Sequence, residues 1–545
     1  MKKISYLFIL LFCSQLLFAQ SKESVKFDQL LDEKFGKAPS GATALVAKNG
    51  QIIYKKALGK ANIELDIPMK TDHVFRIGSI TKQFTAVAIL QLMEQGKLSL
   101  QDEITKFLPD YPTQGHKITI EHLLTHTSGI KSYTGMKEFM DLMRKDMEPQ
   151  ELINVFKDQP MEFTPGTKWK YNNSGYFLLG YIIEKVSGKT YPEYLEEVFF
   201  KPLGMTNSYY GDNDRIIRNR ASGYDPGENG VNNSAFLSMK LPYAAGSIMS
   251  TVEDLFKWNK AVHAYKLVKK ETLQQAFKKY RLADGKDTSY GYGWSLSDIQ
   301  GSPTIEHGGG INGFLTNGIY LPQEDVFVAV FSNSTGVSPD DVSIRIAAAA
   351  IGKPYENKEI SVSESVLKGY EGVFVNEEGA KRTITFEDKK LYSQRAGNPK
   401  FRIKAYEKDK FFFDDAFTKL EFRYDDKGKV NKVISTDRGS QTVWNLTNES
   451  TAAPAEIKVE EEVLKTYAGG YEIAPGFVLT ITSEGSRLFG QATGQGKNEL
   501  FAESPTKFFL KVVDAKVEFF KDAAGKTEKL ILYQGGRQME GKKVK

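Results

Sequence analysis

Hydrophobic and polar residues alternate in short runs through the C-terminal third of the chain. Lys419–Tyr424 and Lys516–Phe520 are two such runs, and a period of two residues indicates strands with one buried face. A turn-like Asp425–Gly428 follows the first run. The pattern therefore predicts hairpins, assembled into small antiparallel barrels or sheets.

This region contains two copies of one unit, because matching residues recur 97 positions apart. The constant spacing joins Tyr370 to Tyr467, Phe411 to Phe508, Phe422 to Phe519 and Gly428 to Gly525. A single offset held over about 65 residues indicates an internal repeat. We predict one unit over 354–449, a linker over 450–463 and a second unit over 464–545.

The stretch 20–353 mixes helical and strand patterns. An apolar run at Ile80–Glu94 predicts a buried helix, and Tyr176–Val186 and Val252–Val262 predict two more. Thr316–Leu321 and Val326–Ser332 predict a hairpin. Strands cluster at both ends of the stretch and helices between them, which favours an α+β domain whose terminal strands share one sheet.

The first residues have the pattern of a targeting segment. A positively charged start and the apolar run Ile4–Phe18 precede Ala19, which predicts a signal peptide over 1–19 and a periplasmic or secreted protein. The run is short for a membrane anchor. Lipidation of Cys13 is disfavoured because the apolar run continues past it. No other stretch reaches about 18 apolar residues, so no membrane span is expected.

The amino-acid composition excludes several classes of partner and site. Hydrophobic residues make up 41% and charged residues 26% of the 545 positions, as in a folded protein. The net charge is +5 and no dense basic tract occurs, which argues against a nucleic-acid partner. The single cysteine, Cys13, excludes an intrachain disulfide and cysteine-based metal centres. We expect no cofactor and no metal.

A nucleophile is suggested by the pattern Ser-x-x-Lys, which occurs four times. Only Ser79–Lys82 begins an apolar helix; the other three are Ser128–Lys131, Ser365–Lys368 and Ser504–Lys507. Positions i and i+3 of a helix share a face, so the Lys82 amine would lie at the Ser79 hydroxyl. Burial would lower the pKa of Lys82 and so activate the serine. The alternative makes Ser79 a helix cap and Lys82 a solvated residue.

Two further motifs follow in order. Tyr171-Asn172-Asn173 precedes a predicted helix, and His307-Gly308-Gly309 stands near the end of the mixed stretch. With Ser79–Lys82, they resemble the signature of the class C β-lactamase and penicillin-recognising serine hydrolase superfamily, of peptidase family S12 type, over about residues 25–350. The resemblance implies an antiparallel sheet flanked by helices, with an all-helical region.

The resemblance also implies roles for the catalytic side chains. Ser79 would be the acylated nucleophile, and Lys82 would assist its deprotonation. Tyr171, with its pKa lowered by Lys82, would act as general base and later protonate the leaving group. Which of Lys82 and Tyr171 is the base for acylation stays open.

Substrate binding is implied for Asn173, His307, Gly309 and Gly310. Asn173 would orient Lys82 and the acyl chain, and the backbone N–H groups of Ser79 and Gly310 would form an oxyanion hole. His307 stands where β-lactamases usually carry lysine, and a mostly neutral imidazole weakens carboxylate recognition. His-x-Gly resembles the D-aminopeptidase and esterase-like branches. D-aminopeptidases of this group also carry two lipocalin-like C-terminal barrels.

Two classes of function remain. The first is an exported serine hydrolase acting on a small amide, a peptide (including one with a D-amino acid) or an ester; β-lactamase or D-Ala-D-Ala carboxypeptidase activity is its variant. The second is a non-catalytic penicillin-binding or ligand-sensing protein. The intact Ser79, Lys82 and Tyr171 favour the enzyme. The expected partner is a small-molecule or peptide substrate, and the oligomeric state is left open.

One histidine pair could be mistaken for a metal site. His122 and His126 have the i, i+4 spacing of zinc ligands on a helix. No glutamate follows His122 and no third ligand is evident, so we predict a structural loop after a helix.

Overall fold

A computed structural model describes residues 22–227, 230–451, 455–474, 476–535 and 537–544. The chain forms two compact units that divide between Tyr355 and Glu356. The predicted signal peptide over 1–19, with Cys13, lies outside the described residues. None of the helices described is long and apolar enough to cross a bilayer.

Most helices lie in the first unit. In chain order they are α1 (Lys22–Phe35), α2 (Thr81–Glu94), α3 (Ile120–Leu124), α4 (Phe139–Leu142), α5 (Pro149–Phe156), α6 (Asn173–Ser187), α7 (Tyr191–Tyr194), α8 (Tyr243–Gly246), α9 (Val252–His263), α10 (Lys270–Ala276), α11 (Asp340–Ala350), α12 (Glu364–Lys368) and α13 (Glu461–Tyr467). The predicted helices at residues 80–94, 176–186 and 252–262 correspond to α2, α6 and α9.

The strands of the first unit form one large sheet and three small ones. They are β1 (Ala42–Lys48), β2 (Gln51–Leu58), β3 (Lys60–Asn62), β4 (Ile67–Pro68), β5 (Phe75–Arg76), β6 (Tyr209–Tyr210), β7 (Tyr224–Gly227), β8 (Gly230–Asn233), β9 (Ile248–Ser250), β10 (Ser295–Ile299), β11 (Ser302–Ile311), β12 (Phe314–Leu321) and β13 (Val326–Ser332). The large sheet has the order β10-β11-β12-β13-β1-β2 and is antiparallel. The prediction that strands from both ends share one sheet is confirmed.

The core of this unit explains the continuous apolar pattern of α2. Apart from its last few residues the helix is buried, because it packs against α6, α8 and α10. Strand β13 is buried at every position, so its sequence is a nearly unbroken apolar run. The sheet and α2 together hold the short turn at Gly78–Ile80, where the predicted nucleophile lies.

The second unit contains two closed antiparallel barrels of eight strands each. Barrel 1 consists of β14 (Gly372–Val375), β15 (Lys381–Glu387), β16 (Lys390–Arg395), β17 (Lys400–Glu407), β18 (Lys410–Phe412), β19 (Lys419–Tyr424), β20 (Val430–Asp437) and β21 (Ser440–Leu446). Barrel 2 consists of β22 (Gly469–Ala474), β23 (Phe477–Glu484), β24 (Arg487–Ala492), β25 (Asn498–Ala502), β26 (Lys507–Phe509), β27 (Ala515–Lys521), β28 (Thr527–Gln534) and β29 (Arg537–Lys543). The predicted fold class is confirmed in both parts.

The strand registers repeat with the spacing seen in the sequence. Arg382 lies opposite Arg395 in barrel 1, and Leu479 lies opposite Ala492 in barrel 2, each 97 residues later. The predicted linker, 450–463, differs in one respect, since α13 begins at Glu461 inside it. Leu464 and Tyr467 of α13 are buried in the core of barrel 2, which explains why that stretch becomes helical.

Candidate active site

Ser79 lies in the single turn Gly78–Ile80 that leads directly into α2. Its neighbours Gly78 and Ile80 are buried, whereas Ser79 itself is partly exposed. The start of α2 has no side-chain cap, so the alternative reading of Ser79 as a helix cap is wrong. The Ser79 hydroxyl instead contacts the Lys82 amine, 3.1 Å away.

Lys82 has no exposed surface, which excludes the reading of a solvated lysine. Its Nζ lies 2.9 Å from Asn173 Oδ1, 2.8 Å from the Ala245 carbonyl and 3.1 Å from Ser79 Oγ. The two carbonyl-type oxygens can only accept, so they take two N–H bonds and leave the third direction of the amine facing Ser79. Burial lowers the pKa of Lys82 well below 10.5. A neutral amine would direct its lone pair at the Ser79 hydroxyl, the relation of a base to its nucleophile.

Tyr171 lies on the other side of this amine. Its ring centroid is 4.7 Å from Lys82 Nζ, and its hydroxyl is buried with no hydrogen-bond partner of good geometry among the described residues. Burial raises the pKa of Tyr171 above its ordinary value of 10, and the nearby Ser79 hydroxyl offsets this only in part. The expectation that this pKa is lowered is therefore not met, because the burial of Tyr171 itself has the largest effect on it.

Asn173 is held in the orientation that Lys82 requires. Its Nδ2 donates to Thr134 Oγ1 at 3.0 Å and its backbone N–H donates to Ser132 Oγ at 3.2 Å. These contacts turn Oδ1 toward the lysine. The preceding Asn172 caps α6 by accepting from the Gly175 N–H at 2.9 Å. The geometry agrees with the predicted role of Asn173 in orienting Lys82, while its contact with an acyl chain stays a prediction.

Glycines allow β11 to run against the nucleophile turn. Gly78 has φ +52°, and a Cβ on it would lie 3.0 Å from the Gly310 nitrogen. A Cβ on Gly309 would lie 2.0 Å from the Ile77 carbonyl oxygen, closer than any real contact. The backbone N–H of Gly310 is thereby brought beside the Ser79 turn, where the predicted oxyanion hole would form.

His307 is buried and already engaged at both ring nitrogens. Nδ1 lies 2.6 Å from the Gly308 carbonyl, which can only accept, so Nδ1 carries the proton. Nε2 then accepts from the Tyr290 hydroxyl at 2.8 Å. Burial, with a smaller effect of Lys82, lowers the pKa of His307 to about 3. The ring is neutral and has no N–H left for a substrate carboxylate, so its direct role in substrate binding is not supported by this geometry.

The comparison with known families agrees with this layout. A model described as Beta-lactamase matches residues 27–353, which is more than half of the chain. The chain belongs to the β-lactamase family. A second model, described as a domain of unknown function (DUF3471), matches residues 453–543, the region of barrel 2.

Other members of the β-lactamase family and their structural relatives extend the comparison. Penicillin-binding protein 4* of Bacillus subtilis is 27% identical over 441 residues, covering 75% of this chain and 96% of its own. The D-aminopeptidase of Gluconobacter oxydans is 26% identical over 337 residues, covering 61% of this chain and 62% of its own. The crystal structure of a D-stereospecific amidohydrolase from Streptomyces sp. matches with a TM-score of 0.53 at 26% identity, over 59% of this chain and 98% of its own. Family members of this kind are serine hydrolases that include amidases and peptidases.

Two residues of this β-lactamase-family site were not predicted from the sequence. His126 Nδ1 accepts from the Asn172 N–H at 3.1 Å, and its carbonyl accepts from the Lys170 N–H at 3.0 Å. Its ring centroid lies 4.4 Å from that of Tyr171 and 4.6 Å from that of Tyr290. His126 and Tyr290 therefore pack against the loop that carries Tyr171 and fix its position. No local pattern links positions 126, 171 and 290, so only the fold could reveal them.

The histidine pair has structural contacts at both members. His122 completes a capping box with Thr119 at the start of α3, and its Nδ1 accepts from the Thr119 N–H at 3.3 Å. Among the described residues, no group of three or more His, Cys, Asp or Glu side chains is placed to hold a metal ion. The predicted structural reading of His122 and His126 fits these contacts.

Proposed function

We propose that this chain is a serine hydrolase that transfers the acyl group of a small amide, peptide or ester to Ser79 and then to water. The observation that carries the proposal is the contact of the buried Lys82 Nζ with Ser79 Oγ, 3.1 Å apart, with two other acceptors occupying the remaining directions of the amine. Such a pair has little structural purpose, since a buried lysine without a carboxylate partner costs stability.

The proposed acylation begins with transfer of the Ser79 proton to neutral Lys82. The Ser79 oxygen attacks the substrate carbonyl carbon, and the backbone N–H groups of Ser79 and Gly310 stabilise the resulting oxyanion. Tyr171 is a protonated phenol at neutral pH because burial raises its pKa. It donates its proton to the leaving nitrogen or oxygen as the carbonyl re-forms, and the Lys82 ammonium restores the proton to Tyr171.

Deacylation reverses these transfers. Water attacks the acyl carbon, its proton passes through Tyr171 or Lys82, and Ser79 leaves as a hydroxyl. The acid product carries away the acyl group, and every protein side chain returns to its starting protonation state.

The substrate class is proposed from the third motif and the relatives. A neutral His307 with both nitrogens bound to protein offers no charge to a substrate carboxylate. Two of the relatives described above are a D-aminopeptidase and a D-stereospecific amidohydrolase. We therefore favour amides or short peptides of D-amino acids, or small esters, over β-lactams and over peptides recognised by a terminal carboxylate.

The first test is labelling by a fluorophosphonate probe. We expect the wild-type protein to be labelled and Ser79→Ala to be unlabelled. Ser365→Ala is the matched control, because Ser365 belongs to a second Ser-x-x-Lys pattern but lies on α12, in the other unit. Labelling that persists in Ser79→Ala would refute the assignment of the nucleophile.

The second test is a substrate panel of D- and L-amino acid amides, short acyl esters and a chromogenic cephalosporin. We expect Ser79-dependent turnover of amides or esters and slow or absent turnover of the cephalosporin. Stable acylation without turnover of any compound would instead favour a penicillin-binding or ligand-sensing protein.

Export is proposed from the sequence of residues 1–19 and is tested separately. Fractionation of cells that express the full chain should recover it outside the cytoplasm, with an N-terminus at Gln20. Ala19→Arg should block the cleavage. An intact N-terminus in the cytoplasmic fraction would contradict export.

A further inference from the structure

One end of barrel 1 encloses a cavity that the proposed hydrolase chemistry does not use. Its volume is about 680 Å³, within the range of small-molecule sites. Polar residues from several strands line it, among them Arg382, Ser393, Arg395, Ser435, Thr442 and Trp444. The barrel also has an apolar core, which includes Tyr370, Phe411 and Phe422 and extends to Trp444.

Arg382 is the unusual member of this lining. It is only 4% exposed, yet among the described residues no carboxylate pairs with it. Its Nη1 donates to Ser393 Oγ at 2.7 Å, its guanidinium carbon lies 4.7 Å from the Trp444 ring centroid, and its Nε has no partner. Burial and the nearby Arg395 lower the pKa of Arg382 to about 10, so it remains charged at neutral pH. A charge buried in this way is costly unless an anion compensates it.

A second arginine is held beside the first. Arg395 lies directly opposite Arg382 across β15 and β16, and like charges at such a pair destabilise a sheet. Arg395 is exposed and its guanidinium carbon lies 5.7 Å from the Trp444 ring centroid. Trp444 itself is fixed, since its Nε1 donates to Ser435 Oγ at 2.8 Å. Arg382, Arg395 and the fixed Trp444 ring thus line one cavity, together with a third arginine, Arg402, which is paired with Glu359.

Barrel 2 has the same fold but lacks the arginine pair and the tryptophan at the matching positions. At the positions 97 residues later, Leu479 replaces Arg382, Ala492 replaces Arg395, Gly490 replaces Ser393, Leu532 replaces Ser435 and Gly541 replaces Trp444. Barrel closure therefore does not require the arginine pair or the tryptophan. The stability of the barrel fold therefore does not explain why barrel 1 carries two arginines and a tryptophan at these positions.

We propose that barrel 1 binds a small organic carboxylate, whose anionic group contacts the guanidinium groups of Arg382 and Arg395. Arginine is suited to a carboxylate because its planar fork can donate two parallel N–H bonds. Pro399, Phe401 and Phe413 also line the cavity and provide apolar surface for the rest of such a molecule.

The charge of the cavity entrance favours a monoanion over a phosphate-like dianion. Glu378, Asp414, Asp415 and Asp437 line the cavity and are exposed. Asp414 is paired with Lys404 at 2.6 Å. The other three carboxylates repel a compact dianion more strongly than a singly charged acid with an apolar body.

The test is a titration of the full chain carrying Ser79→Ala, labelled with 5-fluorotryptophan and followed by ¹⁹F NMR. Trp444 is the only tryptophan after residue 294, and Trp444→Phe identifies its signal. The probes are phenylacetate, its neutral analogue phenylacetamide, and inorganic phosphate. We expect a saturable shift of the Trp444 signal with phenylacetate alone, and a Kd at least about tenfold weaker in Arg382→Leu.

Two further variants make the result decisive. Arg395→Gln, at an exposed position, should weaken phenylacetate binding without risk to the barrel core. Arg423→Leu removes an exposed charge of β19 that pairs with Glu421, and should leave the Kd unchanged. The proposal would be overturned by the absence of a shift with phenylacetate, by an equal response to phenylacetamide, or by tighter binding of phosphate. It would also be overturned if Arg382→Leu and Arg395→Gln both bound phenylacetate with the wild-type Kd.

Discussion

Two buried cations, one in each unit, respond to desolvation in different ways. Lys82 contacts three oxygen atoms, and Arg382 contacts one hydroxyl and the face of Trp444; among the described residues neither is paired with a carboxylate. Lysine can lose its proton when buried, whereas arginine stays charged. The same physical cost underlies both proposals, Lys82 as the base beside Ser79 and Arg382 as part of an anion site in barrel 1.

The largest effect is expected when Lys82, whose side chain can lose its proton, is replaced by arginine, whose side chain stays protonated. Lys82→Arg should slow fluorophosphonate labelling of Ser79 about 10³-fold, because a guanidinium cannot accept the serine proton. The second-order rate constant of labelling measures this, with Ser365→Ala as the matched control. A loss of less than tenfold would mean that Lys82 is not the base.

The second largest effect is expected when an arginine is introduced in barrel 2 at the position that matches Arg382 of barrel 1. Leu479→Arg should destabilise barrel 2 by about 3 kcal/mol, because Gly490 and Gly541 stand at the positions of Ser393 and Trp444, whereas Arg382→Leu should change barrel 1 by less than about 1 kcal/mol. Hydrogen exchange of β22–β29 and of β14–β21 in the full chain measures both.

Leu479→Met is the control for volume, expected to cost less than about 1 kcal/mol. Equal destabilisation by Leu479→Arg and Arg382→Leu would indicate that Arg382 stabilises barrel 1 and is not held there for binding.

Tyr171→Phe tests the partner of Lys82 in proton transfer. It should lower kcat about 100-fold with the fold retained, since the phenol proton for the leaving group is lost. Steady-state kinetics on an amide and on an ester with a good leaving group separate the roles. The ester should lose less, because its leaving group needs little protonation; an equal loss would favour Tyr171 as the base for acylation.

The smallest effect concerns His307, a buried imidazole that is neutral in the folded protein. Its pKa is about 3 in the fold and about 6.5 when unfolded. The unfolded chain binds the proton first, so this contribution to stability is lost as the pH falls below about 6.5. The expected loss between pH 7.5 and pH 5 is about 2 kcal/mol.

Denaturant unfolding of the wild type and of His307→Gln at both pH values measures this difference. The wild type should lose about 2 kcal/mol more than the variant. Parallel losses would show that His307 is protonated in the folded protein.

The local part of the active site could be predicted from the sequence. The i, i+3 spacing of Ser79 and Lys82 and the apolar run after them placed both at the start of a buried helix, and the helix begins one residue later than predicted, at Thr81. The repeat was equally readable, because matching residues such as Tyr370 and Tyr467, or Phe422 and Phe519, recur at one offset. Such features depend on neighbours along the chain.

The long-range part could not be predicted. The Ala245 carbonyl contacts Lys82 from 163 residues away, and Thr134 orients Asn173 from a separate loop. The contact of Gly78 with Gly310 joins a turn to a distant strand. The expected lowering of the Tyr171 pKa failed for the same reason, since it left out the burial of Tyr171 itself, which raises that pKa.

The sequence by itself determined which chemical groups this protein has: a serine with a nearby lysine, a tyrosine, a histidine in place of a lysine, and two homologous barrels of which only the first carries arginine and tryptophan at the inner positions. The tertiary structure alone decided how those groups are protonated and what they face. Desolvation depends on every atom packed around a side chain, and around Lys82 those atoms come from segments up to 163 residues away.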